Sequence, residues 1–470
     1  MGRAKYTPAM DRLGPLIATV AASDASGVPA LAMTARAAGA DRVEIRTDCL
    51  GPGENASTLL PLAETVPLLL SGHRDRLRSE EISLLRSAQD HGAWVDVPFA
   101  EDLPEDLHGL DRSRLVLSWH SFEGTPGDLP RVLARMRSRP AAAYKLVPTA
   151  RDFPDALAVL SLLEREGRGD LCAFAMGTPG IPVRALALAW GSCATYAVAP
   201  GCEAAAPGQM AIEEFLVTYR PLDIRKEDPL YVLAGWPLTY TKTPSFFNPW
   251  LDRLQLPGRY LPFPCTDPRD LLESGLPLRG VAVTIPHKEA PLRLTSRASR
   301  LARLSGACNT LVPDGLGWIA ANTDVYGIRR ALRGVPSGAR CLLLGGGGAA
   351  AAAALALRGR GPVGVSCRDE AKGRAFARRF GVAAVPWSKR DSTPWDLLVN
   401  ATPSGSQADE SPFPLEALRG RWVLDMVVRP GGTALLRTAS TLGLEAIPGE
   451  AMLVPQARLQ FRLWTGRRAP

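Results

Sequence analysis

Through about residue 215 the chain alternates short apolar runs with longer stretches in which apolar residues recur at helical spacing. The apolar runs PLIATV, RVEIRTD, VPLLLSGH, AWVDVPF, RLVLSWH, AAAYKLVPT, LCAFAMG and ATYAVAP make eight repeats. Segments between them, such as EEISLLRSAQDHG and FPDALAVLSLLEREG, end near glycine, as helices leading into a following strand do. Strand, helix, strand is the order a parallel sheet requires, and closing eight such units predicts a compact (β/α)8 barrel. The polar stretch TYRPLDIRKEDP, residues 218–229, carries two prolines and few apolar residues and reads as a linker. From YVLAGWPLTY onward strands and helices alternate again. CLLLGGGGAAAAAALALRGRGPVGVSCR predicts a complete strand, Gly-rich turn, helix and next strand.

A length of 470 residues exceeds one ordinary core, and 46% hydrophobic with 22% charged residues places the chain among globular proteins. The 44 glycines and 41 prolines suit many short loops rather than disorder. A net charge of +8 permits nucleic-acid binding, but the basic residues are dispersed, and an anionic small molecule accounts for them equally well. No nucleic-acid or membrane partner is expected. The first apolar run is too short for a signal peptide or membrane span, so a cytoplasmic protein is expected. The eight cysteines form no CxxC pair, which suits reduced, buried thiols and gives no metal signature.

Lys145 interrupts an apolar strand. A lone ammonium there is costly to desolvate, and desolvation lowers its pKa toward that of a nucleophilic amine. His120 ends the preceding strand, so the two side chains meet at neighbouring strand ends, an arrangement suited to imine chemistry with proton transfer. Glu44, Arg46 and Arg74 stand at other strand ends, and Arg184 and Gln209 in the loops after strands seven and eight, which suits a clamp on a carboxylate. Taken singly, each of these residues is explained as well by a surface ion pair or a snorkelling side chain. In the second half, Gly345, Gly347 and Ala350 occupy G-x-G-x-x-G/A positions, with Gly348 and Ala349 between them opening the helix, as a dinucleotide pyrophosphate site needs. Lys288 follows an apolar strand and Asp324 begins a helix. Together they suit the proton transfer that accompanies hydride transfer, with Asn309 as a polar anchor and an exposed lysine and a helix cap as the plainer explanation.

With these residues in view, residues 12 to 215 resemble the type I 3-dehydroquinate dehydratases: VEIRTD is similar to V-E-x-R-x-D, SWHSFEGTP to S-x-H-x-F-x-x-T-P, YKLVPT to the lysine strand and APGQ to the closing motif. The resemblance implies that Lys145 forms an imine with the substrate ketone and that His120 moves protons. It also implies that Glu44, Arg46, Arg74, Arg184 and Gln209 hold the carboxylate and hydroxyls, with 3-dehydroshikimate as product. The family's Glu-Gly-Gly after the third-strand arginine is absent, leaving Glu80 or Glu81 to orient His120, and Ala205 stands where serine usually precedes A-P-G-Q.

Residues 230 to 466 resemble shikimate dehydrogenases in seven ordered motifs: GWPLTYTKTP, AVTIPHK, GACNT, NTD, GGGGA, NATPSG and MLVPQA. The resemblance implies NADP-dependent reduction of 3-dehydroshikimate to shikimate. Lys288 and Asp324 are the implied catalytic pair, and Thr241, Thr243, Thr284, Asn309 and Gln456 the implied substrate contacts. Arg368 and Lys372 would face the 2′-phosphate. Departures are Thr241 and Thr243 for serines, Ala282 for asparagine, Val428 for tyrosine, and Asp369 for threonine.

The expected architecture is α/β: a barrel over 1–217, a linker over 218–229, a substrate-binding lobe over 230–330, and a Rossmann lobe over 331–470 whose last helix returns to the substrate lobe. The expected activity is bifunctional, acting on 3-dehydroquinate, 3-dehydroshikimate and shikimate. One half serving as a non-catalytic module, or the second half as an NAD-dependent quinate/shikimate dehydrogenase, is the alternative.

Overall fold

The computed structural model describes residues 13–72, 79–103, 107–238, 241–315 and 317–470. The eight apolar repeats form eight parallel strands: β1 (Leu16–Val20), β2 (Arg42–Arg46), β3 (Leu68–Ser71), β4 (Trp94–Pro98), β5 (Leu115–Ser121), β6 (Ala143–Pro148), β7 (Leu171–Ala173) and β8 (Thr195–Val198). Their order is β7-β6-β5-β4-β3-β2-β1-β8. At the remaining seam, Cys193 donates its backbone N–H to Leu171 O at 2.8 Å, and Ala173 donates to Ser192 Oγ at 3.1 Å. Nearly every strand residue is buried because helices cover the outside and side chains fill the inside, which is why these strands read as apolar runs rather than alternations. Arg42 closes the N-terminal end, donating to Leu13 O and Leu68 O and lying over the Trp94 ring.

The stretch 218–229, expected to be a linker, is anchored at several residues. A helical turn at Phe215–Tyr219 buries Phe215 and Tyr219, Ile224 joins the core, Arg220 pairs with Asp223 and Asp252, and Lys226 pairs with Glu164. Tyr219 and Ile224 thus reach core positions although the stretch is polar on average, which composition alone does not reveal.

The next sheet contains β9 (Leu230–Gly235), β10 (Arg259–Pro264), β11 (Leu278–Val283), β12 (Arg297–Ala298), β13 (Thr310–Asp314) and β14 (Gly317–Ala321) in the order β10-β9-β11-β13-β14-β12. The last comprises β15 (Cys341–Leu344), β16 (Val363–Ser366), β17 (Ala383–Val385), β18 (Leu397–Asn400), β19 (Trp422–Asp425) and β20 (Glu445–Ile447). Its order, β17-β16-β15-β18-β19-β20, is the doubly wound one, with the topological switch between β15 and β18. The C-terminal helix Glu450–Thr465 returns to the preceding sheet, where Phe461 and Trp464 stack among Tyr231, Phe247 and Tyr260. Gly280 is required there, since a Cβ would come within 2.3 Å of the Trp464 ring.

The barrel and the first of these sheets share one core. It runs through the barrel into Leu261, Phe263 and Leu271, and the Phe153 and Phe263 rings meet at 5.6 Å.

Candidate active sites

At the C-terminal end of the barrel, Lys145 points inward from β6 and is 6% exposed. Its Nζ donates to Glu44 Oε1 and to Asp96 Oδ2, each at 3.0 Å, and lies 4.3 Å from the centre of the Tyr196 ring. Burial pulls the lysine pKa down, but Asp96 and Glu44 outweigh it and hold the group above its ordinary value. The expectation that burial alone makes Lys145 a depressed, nucleophilic amine is therefore corrected: the resting side chain is a paired ammonium. Glu44 shows the matching behaviour, with burial opposing and Lys145, Arg46 and Thr19 holding the carboxylate below its ordinary range.

His120 lies on β5 two residues beyond Ser118, the register partner of Lys145, so alternation turns both toward the barrel interior at successive levels. Both line one cavity with Glu44, Arg46, Arg184 and Gln209. Arg46 is held by a bidentate pair with Asp48. Gln209 receives the Ala205 backbone N–H at 2.9 Å and reaches Thr19 Oγ1 at 3.5 Å, and Thr19 donates to Glu44 Oε2 at 2.7 Å.

Arg184 is different. It is 1% exposed, its guanidinium lies 4.4 Å from the Phe174 ring centre, and its Nε and Nη1 have no hydrogen-bond partner. Burial pulls its pKa to about 10, a value that Cys172 and Glu44 only partly counteract. A buried cation left in this state lacks an anion.

Arg74 lies outside the described residues, as does the side chain of Glu80. Glu81 comes close to the mouth, with its Oε1 3.5 Å from where a Cβ on Gly72 would lie, just past β3. Two residues that sequence reasoning did not single out belong to the site, Asp96 and Thr19. Their signal was present: each is a polar residue inside an otherwise apolar strand, as Lys145 is.

The second centre lies where the substrate lobe meets the Rossmann lobe. Lys288 Nζ donates to Asp324 Oδ2 at 2.5 Å, and Asn309 Nδ2 donates to Asp324 Oδ1 at 2.7 Å. Gln456, from the returning helix, accepts from Asn309 and from Thr323 at 3.1 and 2.9 Å. Gln460, one turn on, was not anticipated; it donates to Asn309 O and Thr310 Oγ1. Thr241 and Thr243 hydrogen-bond to each other through their hydroxyls, and Lys242 between them pairs with Glu450 of the returning helix. Thr284 packs on Gly235, where a Cβ would meet its methyl at 2.4 Å. Ala282 is buried in the aromatic cluster, and Val428 contacts the position a Gly449 Cβ would take.

The residues present fit a dinucleotide. Gly345 adopts φ +111°, and Gly347 precedes the helix Gly348–Leu357 with no side-chain cap, leaving the first N–H groups for an anion. A Cβ on Gly348 would lie 2.9 Å from Ala307 and 3.2 Å from Lys288, so the glycine turn abuts the loop carrying Lys288 directly. Ala349 is half-buried and Ala350 buried at the start of this helix, and Arg368 and Lys372 are exposed beyond β16. Asp369 accepts from the Lys372 backbone N–H at 3.0 Å and so caps the helix Glu370–Phe380, which gives the departure a structural reason.

Comparison with known proteins follows the same division. Residues 16–226 match the family model of type I 3-dehydroquinase, residues 233–311 the shikimate dehydrogenase substrate binding domain, and residues 449–470 the shikimate 5′-dehydrogenase C-terminal domain. A shikimate dehydrogenase (NADP(+)) of Pelobacter propionicus is 36% identical over 255 residues, spanning 51% of this chain and 92% of that protein. One of Acidiphilium cryptum is 38% identical over 248 residues, spanning 50% and 89%. The chloroplastic bifunctional 3-dehydroquinate dehydratase/shikimate dehydrogenase of Arabidopsis thaliana is 29% identical over 478 residues, spanning 92% of this chain and 79% of that protein. The chain is thus a member of the shikimate dehydrogenase family whose N-terminal half carries a type I 3-dehydroquinase domain.

Proposed function

We propose that the protein dehydrates 3-dehydroquinate to 3-dehydroshikimate in the barrel and reduces that product to shikimate with NADPH in the second centre. The observation that carries the first step is the orphaned Arg184 guanidinium in one cavity with Lys145 and His120: a carboxylate bound there completes Arg184 and presents the ketone to the lysine. Imine formation converts R–NH3+ and the ketone into R–NH+=C and water, the carbonyl oxygen leaving with two ammonium protons. Glu44 and Asp96, already bonded to Nζ, relay those protons. His120 then takes the proton from the carbon beside the imine. The electron pair moves to nitrogen through an enamine, and its return expels the neighbouring hydroxyl, which leaves as water with the proton His120 gives back. Hydrolysis of the imine frees Lys145.

When bound at the glycine turn, NADPH supplies hydride to the ketone carbon. Lys288, oriented by Asp324 and the Asn309–Thr323–Gln456 network, delivers a proton to the carbonyl oxygen. The hydroxyls of Thr241 and Thr243, with Thr284 and Gln456, hold the carboxylate and ring hydroxyls, and Arg368 and Lys372 offer charge for the 2′-phosphate. The product of the first reaction is the substrate of the second, which gives the fusion its reason. The eight free thiols suit a reducing compartment such as the cytoplasm.

The test is spectroscopic. Supplied with 3-dehydroquinate, the protein should develop enone absorbance, and added NADPH should then be consumed. Lys145→Ala should block only the first signal and Lys288→Ala only the second. Enone accumulation with no use of NADPH would remove the second half of this reading.

A further inference from the structure

Tyr196 takes no part in the steps above, yet it touches the reacting nitrogen. It extends from β8 into the cavity, is 2% exposed, stacks at a tilt on Phe174, and presents its ring face to Lys145 Nζ at 4.3 Å. Its hydroxyl is buried and has no partner. Burial, with Glu44, holds the phenol far above its ordinary range, so it stays neutral.

The proton count of imine formation gives this face a purpose. The resting ammonium has three N–H donors, and two of them go to Glu44 and Asp96. The protonated imine keeps the positive charge but only one N–H, so it satisfies one carboxylate at most. A ring quadrupole needs no proton to hold a cation. We propose that Tyr196 is a further catalytic residue of the dehydratase half, its ring face carrying the charge of the Lys145 nitrogen through the protonated-imine stage. The hydroxyl is incidental to this role.

The inference rests on Lys145 being the imine-forming residue, and the experiment separates the two claims. Borohydride added to wild-type protein with 3-dehydroquinate should trap a secondary amine on Lys145; an absence of trapping overturns both. With trapping established, Tyr196→Leu should lower dehydratase kcat by roughly tenfold or more with KM little changed. Tyr196→Phe, which keeps the face, should recover most of that loss. If Phe and Leu are equally impaired, or Leu turns over as fast as wild type, the inference is overturned. Dehydrogenase activity of the same preparations reports folding. Should Tyr196→Leu not fold, a 3,5-difluorophenylalanine at the same position keeps the shape but weakens the face: kcat below that of Tyr196→Phe supports the inference, and equal kcat overturns it.

Discussion

Asp152 of the barrel accepts hydrogen bonds from both the backbone N–H and the hydroxyl of Thr266 in the following lobe. The same carboxylate caps the helix Phe153–Glu166 by accepting from the Phe153 N–H. It lies a few residues beyond β6, the strand of Lys145, while the Cys265 carbonyl beside Thr266 bonds His287 Nε2 at 2.7 Å, next to Lys288. The loop that follows the Lys145 strand is thus tied to the loop after β10, which in turn holds the segment carrying His287 and Lys288.

This junction, with the continuous core beneath it, predicts that the barrel and substrate lobe melt as one cooperative unit. Asp152→Ala loses a cap and the contact across the junction and should cost about 1–2 kcal/mol. Thr266→Val spares the cap and should cost less. Differential scanning calorimetry would show a single shifted transition, whereas two separated transitions would mean the shared core contributes little.

Arg184 makes a prediction of opposite sign for stability and activity. Replacing it with methionine removes a buried, incompletely bonded cation and should stabilise the free protein by about 1–3 kcal/mol. The dehydratase kcat/KM should fall on the order of a hundredfold, because the substrate carboxylate loses its partner. Thermal melts with and without 3-dehydroshikimate check this: ligand should raise the wild-type midpoint more than that of the variant.

The Lys145 cluster predicts both a rate profile and a stability profile. Asp96→Asn removes the strongest influence holding the ammonium up, so the limb of kcat that rises with pH should move to lower pH. For stability, the lysine pKa is raised on folding, so its contribution is full below the ordinary lysine value and is lost as pH climbs through the folded one. Glu44 is lowered on folding; its contribution is present above the ordinary glutamate value and is lost as pH falls through the folded one. Denaturant titrations across pH should therefore show wild type losing its advantage over Glu44→Gln in acid.

In the second centre, Lys288→Ala should reduce NADPH consumption by about 10²–10⁴ while leaving enone formation intact. Gly348→Ala tests the contact between the glycine turn and the loop carrying Lys288. Its methyl must displace Ala307 and the Lys288 stem, so KM for NADPH should rise and kcat fall together. Steady-state kinetics with each substrate varied would reveal it, and a change in neither constant would mean the loops separate freely.

The sequence by itself determined the number and kind of elements: eight apolar runs became eight barrel strands because parallel strands covered on both faces must be apolar throughout, and the glycine-rich segment became a strand, turn and helix because only residues without bulky side chains pass there. It also marked Lys145, His120, Lys288 and Asp324, since polar groups among apolar neighbours stand out locally. Charge state and partnership were decided only by tertiary structure. Glu44 and Asp96 come to Lys145 from 101 and 49 residues away, and they reverse the pKa shift that burial alone would impose. Arg184 reads like any other arginine until the fold removes every partner from two of its nitrogens. The segment 218–229 reads as a linker because composition reports average polarity, whereas packing depends on where Tyr219 and Ile224 land in three dimensions.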